Sequence, residues 1–249
     1  MTGPAMKRSE KIRLDQLLVD RGLVESREKA RALILAGQVL VEGQRSDKPG
    51  HSIASDSRVE LLERMPYVSR GGFKLAAALD HFSIDVKGMT CVDIGASTGG
   101  FTDVLLQRGA ARVWALDVGH GQLDWKIRND PRVVVMEGVN ARTISPADLP
   151  QKFDLVTCDV SFISATLVIP SIARLLTPEA AMIVLVKPQF EVRREQVGKG
   201  GIVRDPELHR SACDRVRGAA EALGFKTDII ESPILGAEGN REFLLYAHH

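Results

Sequence analysis

Short apolar runs alternate with amphipathic stretches along most of this chain. Cys91-Val-Asp-Ile94 has the pattern of a buried strand. Val113-Trp-Ala-Leu-Asp117, Val133-Val-Val-Met136, Leu155-Val-Thr-Cys-Asp159 and Met182-Ile-Val-Leu-Val186 repeat it. Helical patterns lie around residues 73–82, 101–107 and 205–223, and Glu242-Phe-Leu-Leu-Tyr-Ala247 reads as a last strand. Strands that alternate with helices predict an α/β fold with a parallel, doubly wound sheet. Such sheets bind ligands at the carboxyl ends of their strands.

The first 64 residues follow another pattern. Leu14, Leu17 and Leu18 stand at i, i+3, i+4, and so do Ala30, Leu33 and Ile34, which predicts two short helices. Gly22 ends the first; Ser26 and Gly37 bracket the second as N-cap and C-cap. Gln38-Val-Leu-Val41 and a stretch around residues 58–62 read as short strands, separated by a turn at Gly43. Pro66 disfavours helix at Met65, so Glu63-Arg64-Met65-Pro66-Tyr67 reads as a linker. The expected domains are therefore a small α+β unit at 1–64 and a larger α/β unit at 65–249.

Composition narrows the function classes. The 249 residues are 44% hydrophobic and 26% charged, which supports a packed core rather than disorder. With Lys+Arg 33 against Asp+Glu 32, any nucleic-acid footprint must be local. One candidate lies between Lys7 and Lys48, where Lys and Arg outnumber Asp and Glu, and Arg27 and Arg31 share a helix face. The longest apolar run, residues 180–186, is far short of the ~20 residues that a membrane span needs. The three cysteines, Cys91, Cys158 and Cys213, have no C-x-x-C spacing. A soluble cytoplasmic protein is expected, with no membrane, disulfide framework or metal site.

The chemistry-bearing loop follows Ile94. Gly95, Gly99 and Gly100 allow close backbone approach to a ligand just before a helix. Asp117 comes 22 residues after Gly95 at a strand end, where a carboxylate can accept ribose hydroxyls. A dinucleotide site would carry glycine at position 97, where this chain has Ser97. Asp93-Ile-Gly95-Ala96-Ser97-Thr98-Gly99-Gly100-Phe101 instead resembles motif I of S-adenosylmethionine-dependent methyltransferases. The resemblance implies S-adenosylmethionine as cofactor, held by residues 95–101, with Asp117 and Val118 at its ribose and Asn140 towards its adenine.

Which atom is methylated turns on the end of the fourth strand. Amino-methylating enzymes carry an Asn/Asp-Pro-Pro-aromatic motif there, and this chain has Cys158-Asp159-Val160-Ser161-Phe162. Carbon-5 cytosine enzymes need a thiolate, but Cys158 and Asp159 point to opposite faces of a strand, and Cys158 reads as a small buried hydrophobe. Lys74, Asp159, Lys187 and Glu242 resemble, in chain order, the Lys-Asp-Lys-Glu tetrad of ribose 2′-O-methyltransferases. A sugar hydroxyl must lose its proton as it attacks, and a lysine can take that proton only as a neutral amine. Lys187 is the expected base. Lys74 is expected to lower its basicity and to hold the oxygen or phosphate, while Asp159 and Glu242 orient the two lysines.

The amino-terminal segment resembles the S4 RNA-binding module through Arg13-Leu-Asp-Gln-Leu-Leu18, Ser26-Arg27 and 36–43, followed by Lys48-Pro-Gly50. The resemblance implies that Arg13, Arg27, Lys29 and Arg31 contact RNA phosphates. Adding Tyr67-Val-Ser-Arg-Gly-Gly-Phe-Lys-Leu75, Val186-Lys-Pro-Gln-Phe-Glu191 and Gly239-Asn-Arg-Glu242, the chain resembles the TlyA-type, or hemolysin A, ribosomal RNA 2′-O-methyltransferases with an FtsJ-like domain. That implies cytidine ribose methylation in ribosomal subunits or their assembly intermediates. The chain stops seven residues after Glu242, so large-subunit RNA is the expected target. Two other classes compete: a membrane-active haemolysin and a non-catalytic RNA-binding protein.

Overall fold

The computed structural model describes residues 10–62, 65–236 and 239–249. Glu63 and Arg64 of the expected linker lie outside them. The chain forms two compact units that divide between Pro66 and Tyr67.

In the smaller unit, β1 (Lys11–Arg13) leads directly into α1 (Leu14–Asp20), and α2 (Arg27–Leu35) follows. Ser26 caps α2 by accepting from the Lys29 N–H at 3.2 Å. Then come β2 (Val39–Val41), β3 (Gln44–Arg45), β4 (Ser52–Ala54) and β5 (Val59–Leu61). β1 pairs antiparallel with β4, and β2 lies between β3 and β5, also antiparallel. Leu14, Leu17, Leu18, Ala30, Ile34, Val39 and Ile53 form the core. β2 and β5 match the expected strands, and β1, β3 and β4 are additions to that pattern, since segments so short carry little periodicity of their own.

The larger unit opens with α3 (Gly71–His81) and then alternates β6 (Thr90–Ile94), α4 (Gly100–Gln107), β7 (Arg112–Asp117), α5 (Trp125–Arg128), β8 (Val133–Glu137) and β9 (Phe153–Cys158). It continues through α6 (Ile169–Ala173), β10 (Leu176–Val186), α7 (Pro188–Glu191), α8 (Pro206–Glu221), β11 (Lys226–Glu231) and β12 (Phe243–His248). These strands make one seven-stranded sheet, in the order β11-β12-β10-β9-β6-β7-β8. Six strands point the same way, and β12 alone is reversed, antiparallel to both β10 and β11. The expected α/β, doubly wound, Rossmann-like methyltransferase sheet is present, with one strand reversed within it. Among the described residues, no helix lies between β11 and β12, and a short connection of that kind permits antiparallel pairing.

Alternation along the strands divides the core between the two faces of the sheet. Val92, Ile94, Val184 and Val186 pack with Ile169, Ile172 and Val216 of α6 and α8. Cys91, Ile183 and Leu185 pack on the other face with Leu75, Leu79, Val104 and Leu105 of α3 and α4. Strand order reverses at β6, which has β9 on one side and β7 on the other. That is the switch point at which α/β sheets leave a crevice.

Candidate active site

Two cavities open at this switch point and share Gly95, Ser97 and Asp159. The first, about 390 Å³, lies over the ends of β6, β7 and β9, a volume within the range of small-molecule sites. Its walls are apolar at Leu116, Val118, Val139 and Ile163, with Asp117 and Asn140 as polar groups. The second, about 310 Å³, is lined by Ser69, Arg70, Lys74, the 95–98 loop, Gly100, Phe101 and Ile234.

The loop between them is shaped by backbone conformation. Gly95 has φ +80°, and a Cβ there would collide with the Asp159 carbonyl. Ser97 also has positive φ (48°), and its N–H donates to Asp117 Oδ2 at 2.8 Å. Gly119 N–H donates to the other carboxylate oxygen at 2.7 Å. Both oxygens are thereby oriented, and each keeps accepting capacity for a sugar hydroxyl. Asn140 lines the same cavity and caps the following turn by accepting from the Arg142 N–H. Gly99 lines neither cavity: a side chain there would meet Leu123 and Ile127, so it seats α4 close against α5.

Beneath the loop, Asp93 is fully buried and accepts from the hydroxyls of Thr102 (2.7 Å) and Thr157 (2.9 Å). Burial pushes its carboxyl up to about 6, against the lowering effect of those two hydrogen bonds. Cys158 is also fully buried, and burial, with Asp159 and Asp93 nearby, pushes its thiol up to about 12. A thiol so placed is no nucleophile, which removes the basis for carbon-5 chemistry.

The four tetrad residues form two ion pairs. Lys74 Nζ lies 2.5 Å from Glu242 Oε2, with side chains 10% and 3% exposed. Lys187 Nζ lies 2.6 Å from Asp159 Oδ1, with side chains 11% and 22% exposed. Lys74 comes from α3 and Glu242 from the residue before β12, 168 positions apart. Lys187 and Asp159 follow the adjacent parallel strands β10 and β9. Lys74 and Asp159 face the second cavity. Gly236 packs so closely over Glu242 that any side chain there would strike its carboxylate. Sequence reasoning missed Ser161, whose hydroxyl accepts from Lys187 Nζ at 2.7 Å. It also missed Glu191, which accepts from Ser164 Oγ and the Ala165 N–H. Both stand in motifs already singled out, but nothing in their spacing signals the contact.

In the smaller unit, fully buried Asp15 binds two of the expected RNA-contacting arginines. Arg13 is bidentate to it (3.0 and 2.8 Å), and Arg27 reaches it at 3.2 Å. Both arginine side chains stay 53% exposed. Lys29 pairs with Glu25 at 2.6 Å, and Arg31 is exposed on the same helix.

A nucleoside-sized cavity at the switch point, an acid at the end of the second strand and a reversed last strand define the S-adenosylmethionine-dependent methyltransferase class. Residues 67–249 match the FtsJ-like methyltransferase family, and residues 12–59 match the S4 domain. The YqxC protein of Bacillus subtilis, assigned as an rRNA methyltransferase, is 49% identical, covering 96% of this chain and 86% of its own. The 16S/23S rRNA (cytidine-2′-O)-methyltransferase TlyA of Mycobacterium tuberculosis is 45% identical, covering 96% and 90%. A solved structure from Streptococcus thermophilus, assigned to the hemolysins, aligns with TM-score 0.74 at 45% identity over 96% of this chain and 88% of that one. The chain belongs to the TlyA, or hemolysin A, family, which joins an S4 domain to an FtsJ-like methyltransferase domain. Its cofactor is S-adenosylmethionine.

Proposed function

We propose that this protein methylates the ribose 2′-hydroxyl of a cytidine in ribosomal RNA, with large-subunit RNA among its targets. The observation that carries the reading is two lysine–carboxylate pairs, the buried Lys74–Glu242 and the half-buried Lys187–Asp159, at the two adjoining cavities of the switch point. The likeness to the mycobacterial 16S/23S rRNA (cytidine-2′-O)-methyltransferase supports the choice of substrate.

Residues 95–98, Gly100, Phe101, Asp117, Val118 and Asn140 are the groups that would hold S-adenosylmethionine, with Gly99 seating the helix behind them. Bound there, it supplies an electrophilic sulfonium methyl whose carbon–sulfur electron pair leaves with sulfur as the ribose oxygen bonds to carbon. This chain's own work is orientation and proton transfer. Lys187 accepts the 2′-hydroxyl proton, and the charge of Asp159 holds the lysine in place. Lys74, held by Glu242, places a positive charge near the oxygen or an adjoining phosphate. The S4 unit supplies affinity through Arg13, Arg27, Lys29 and Arg31, and no chemistry. A ribosomal RNA substrate would put this work in the cytoplasm.

The test is to map 2′-O-methyl sites on both ribosomal RNAs from cells with the wild-type protein, without it, and with Lys187→Arg. Arginine keeps the charge but offers no neutral amine, so the site should vanish, a loss of roughly 10²–10⁴-fold in rate. A methylated product from a substrate with deoxyribose at the target would refute the ribose assignment. Liposome leakage by purified protein, without methylation, would return the haemolysin reading.

A further inference from the structure

We propose that Ser161 is a positioning residue for Lys187, directing the lone pair of its amine at the 2′-hydroxyl; the proposal rests on the reading of Lys187 as base. A neutral amine has two N–H bonds and one lone pair. Lys187 Nζ has two partners here, Asp159 Oδ1 at 2.6 Å and Ser161 Oγ at 2.7 Å. The Ser161 contact is a hydrogen bond and the Asp159 contact an ion pair. One N–H anchored at Ser161 and the other drawn towards the Asp159 charge leave the lone pair one favoured orientation. With Asp159 alone, rotation about the last carbon–nitrogen bond carries it through several staggered positions. The proton leaves the 2′-oxygen, whose electron pair stays behind, and forms the third N–H bond of an ammonium already paired with Asp159.

Ser161 can do this because its segment is held at two points by one stretch of chain. Asp159 and Ser161 stand two residues apart just beyond β9, and both meet Lys187 at the end of β10. Four residues after Lys187, Glu191 is 3% exposed and accepts from Ser164 Oγ (2.5 Å) and the Ala165 N–H (2.7 Å). Arg215 of α8 in turn donates to the Glu191 carbonyl at 2.5 Å. The stretch from 187 to 191 therefore fixes both ends of the stretch from 159 to 165. Burial raises the Glu191 carboxyl from its ordinary value.

Ser161 also lines the first cavity, so a purely structural role must be separated from positioning. The experiment compares wild type, Ser161→Ala and Ser161→Thr on ribosomal subunits lacking the modification. It measures kcat, KM for subunits and calorimetric affinity for S-adenosylhomocysteine. A second arm labels lysine amines with acetic anhydride and reads Lys187 by mass spectrometry, with no turnover involved. Ser161→Ala should lower kcat about tenfold, the effect of one hydrogen bond of ordinary strength, with KM and cofactor-product affinity unchanged. Ser161→Thr, which restores the hydroxyl, should recover most of the rate, and Lys187 should label faster in Ser161→Ala. In a Lys187→Arg background, Ser161→Ala should cost nothing further. Wild-type kcat in Ser161→Ala would overturn the proposal, as would a loss confined to KM or cofactor-product affinity with Lys187 labelling unchanged. If wild type makes no 2′-O-methyl product, the reading of the base fails instead, while the labelling arm still reports whether Ser161 holds Lys187.

Discussion

The Lys74–Glu242 pair allows stability and chemistry to be separated. Its atoms are 2.5 Å apart, and its side chains are 10% and 3% exposed. At an effective dielectric of about 20, opposite charges at that distance attract by roughly 6–7 kcal/mol, most of which offsets the cost of taking both ions out of water. The net value of the pair is therefore small, while the cost of removing one partner is large. Lys74→Met leaves Glu242 charged and buried, and Glu242→Met leaves Lys74 so; each should cost about 3–5 kcal/mol. For a domain of this size that lowers the unfolding midpoint by roughly 6–20 °C. The double variant places two flexible apolar side chains in the same space and should recover most of the stability, giving a coupling of at least about 3 kcal/mol. It should nonetheless remain without methyltransferase activity. Circular dichroism melts of the four proteins, paired with methyl transfer to ribosomal subunits, read both quantities. If the two single losses simply add in the double variant, the charges are not coupled in the folded protein and the reasoning fails.

Three further outcomes follow from the geometry. Asp117→Ala removes charge-assisted acceptors worth about 1.5–3 kcal/mol, so calorimetry should find S-adenosylmethionine affinity reduced at least about tenfold; unchanged affinity would displace the cofactor from this strand end. Asp93 is an acid whose carboxyl is raised from 3.8 to about 6 on folding. The folded chain therefore binds more protons than the unfolded one between those values, and stability falls as pH rises through that window, by up to about 3 kcal/mol. Asp93→Asn should flatten that slope in melts from pH 4 to 7. Asp15 has the opposite sign: Arg13, then Arg27, lower its carboxyl to about 2, so its stabilisation is present above about pH 4 and fades as pH falls towards 2. Asp15→Asn should lose that acid-side dependence and weaken RNA binding in filter assays, by freeing the two guanidiniums from their fixed positions.

Much of this protein is legible in its sequence because the signals are local. Continuous apolar runs mark strands buried on both faces, and a glycine-rich turn directly after one of them marks a ligand loop whatever the rest of the chain does. Residues 95–101 and Asp117 stand out as candidates in this way, and the helices of the S4 unit follow from leucine spacing and a serine cap. Other features depend on partners far away in the chain. Whether the last strand runs parallel or antiparallel depends on the connection that delivers it, and strands of two or three residues carry little periodicity of their own. The carboxylate that each lysine meets is decided only when α3 is laid beside the start of β12, and β10 beside β9. Lys74 and Glu242, 168 residues apart, carry no mutual signal until burial makes an unpaired charge too costly for either. The same holds for Asp15, which in sequence is one acid in a basic segment and in the fold is the buried anchor of two arginines. Sequence supplies the chemical groups; packing decides which of them share a site and which way each one faces.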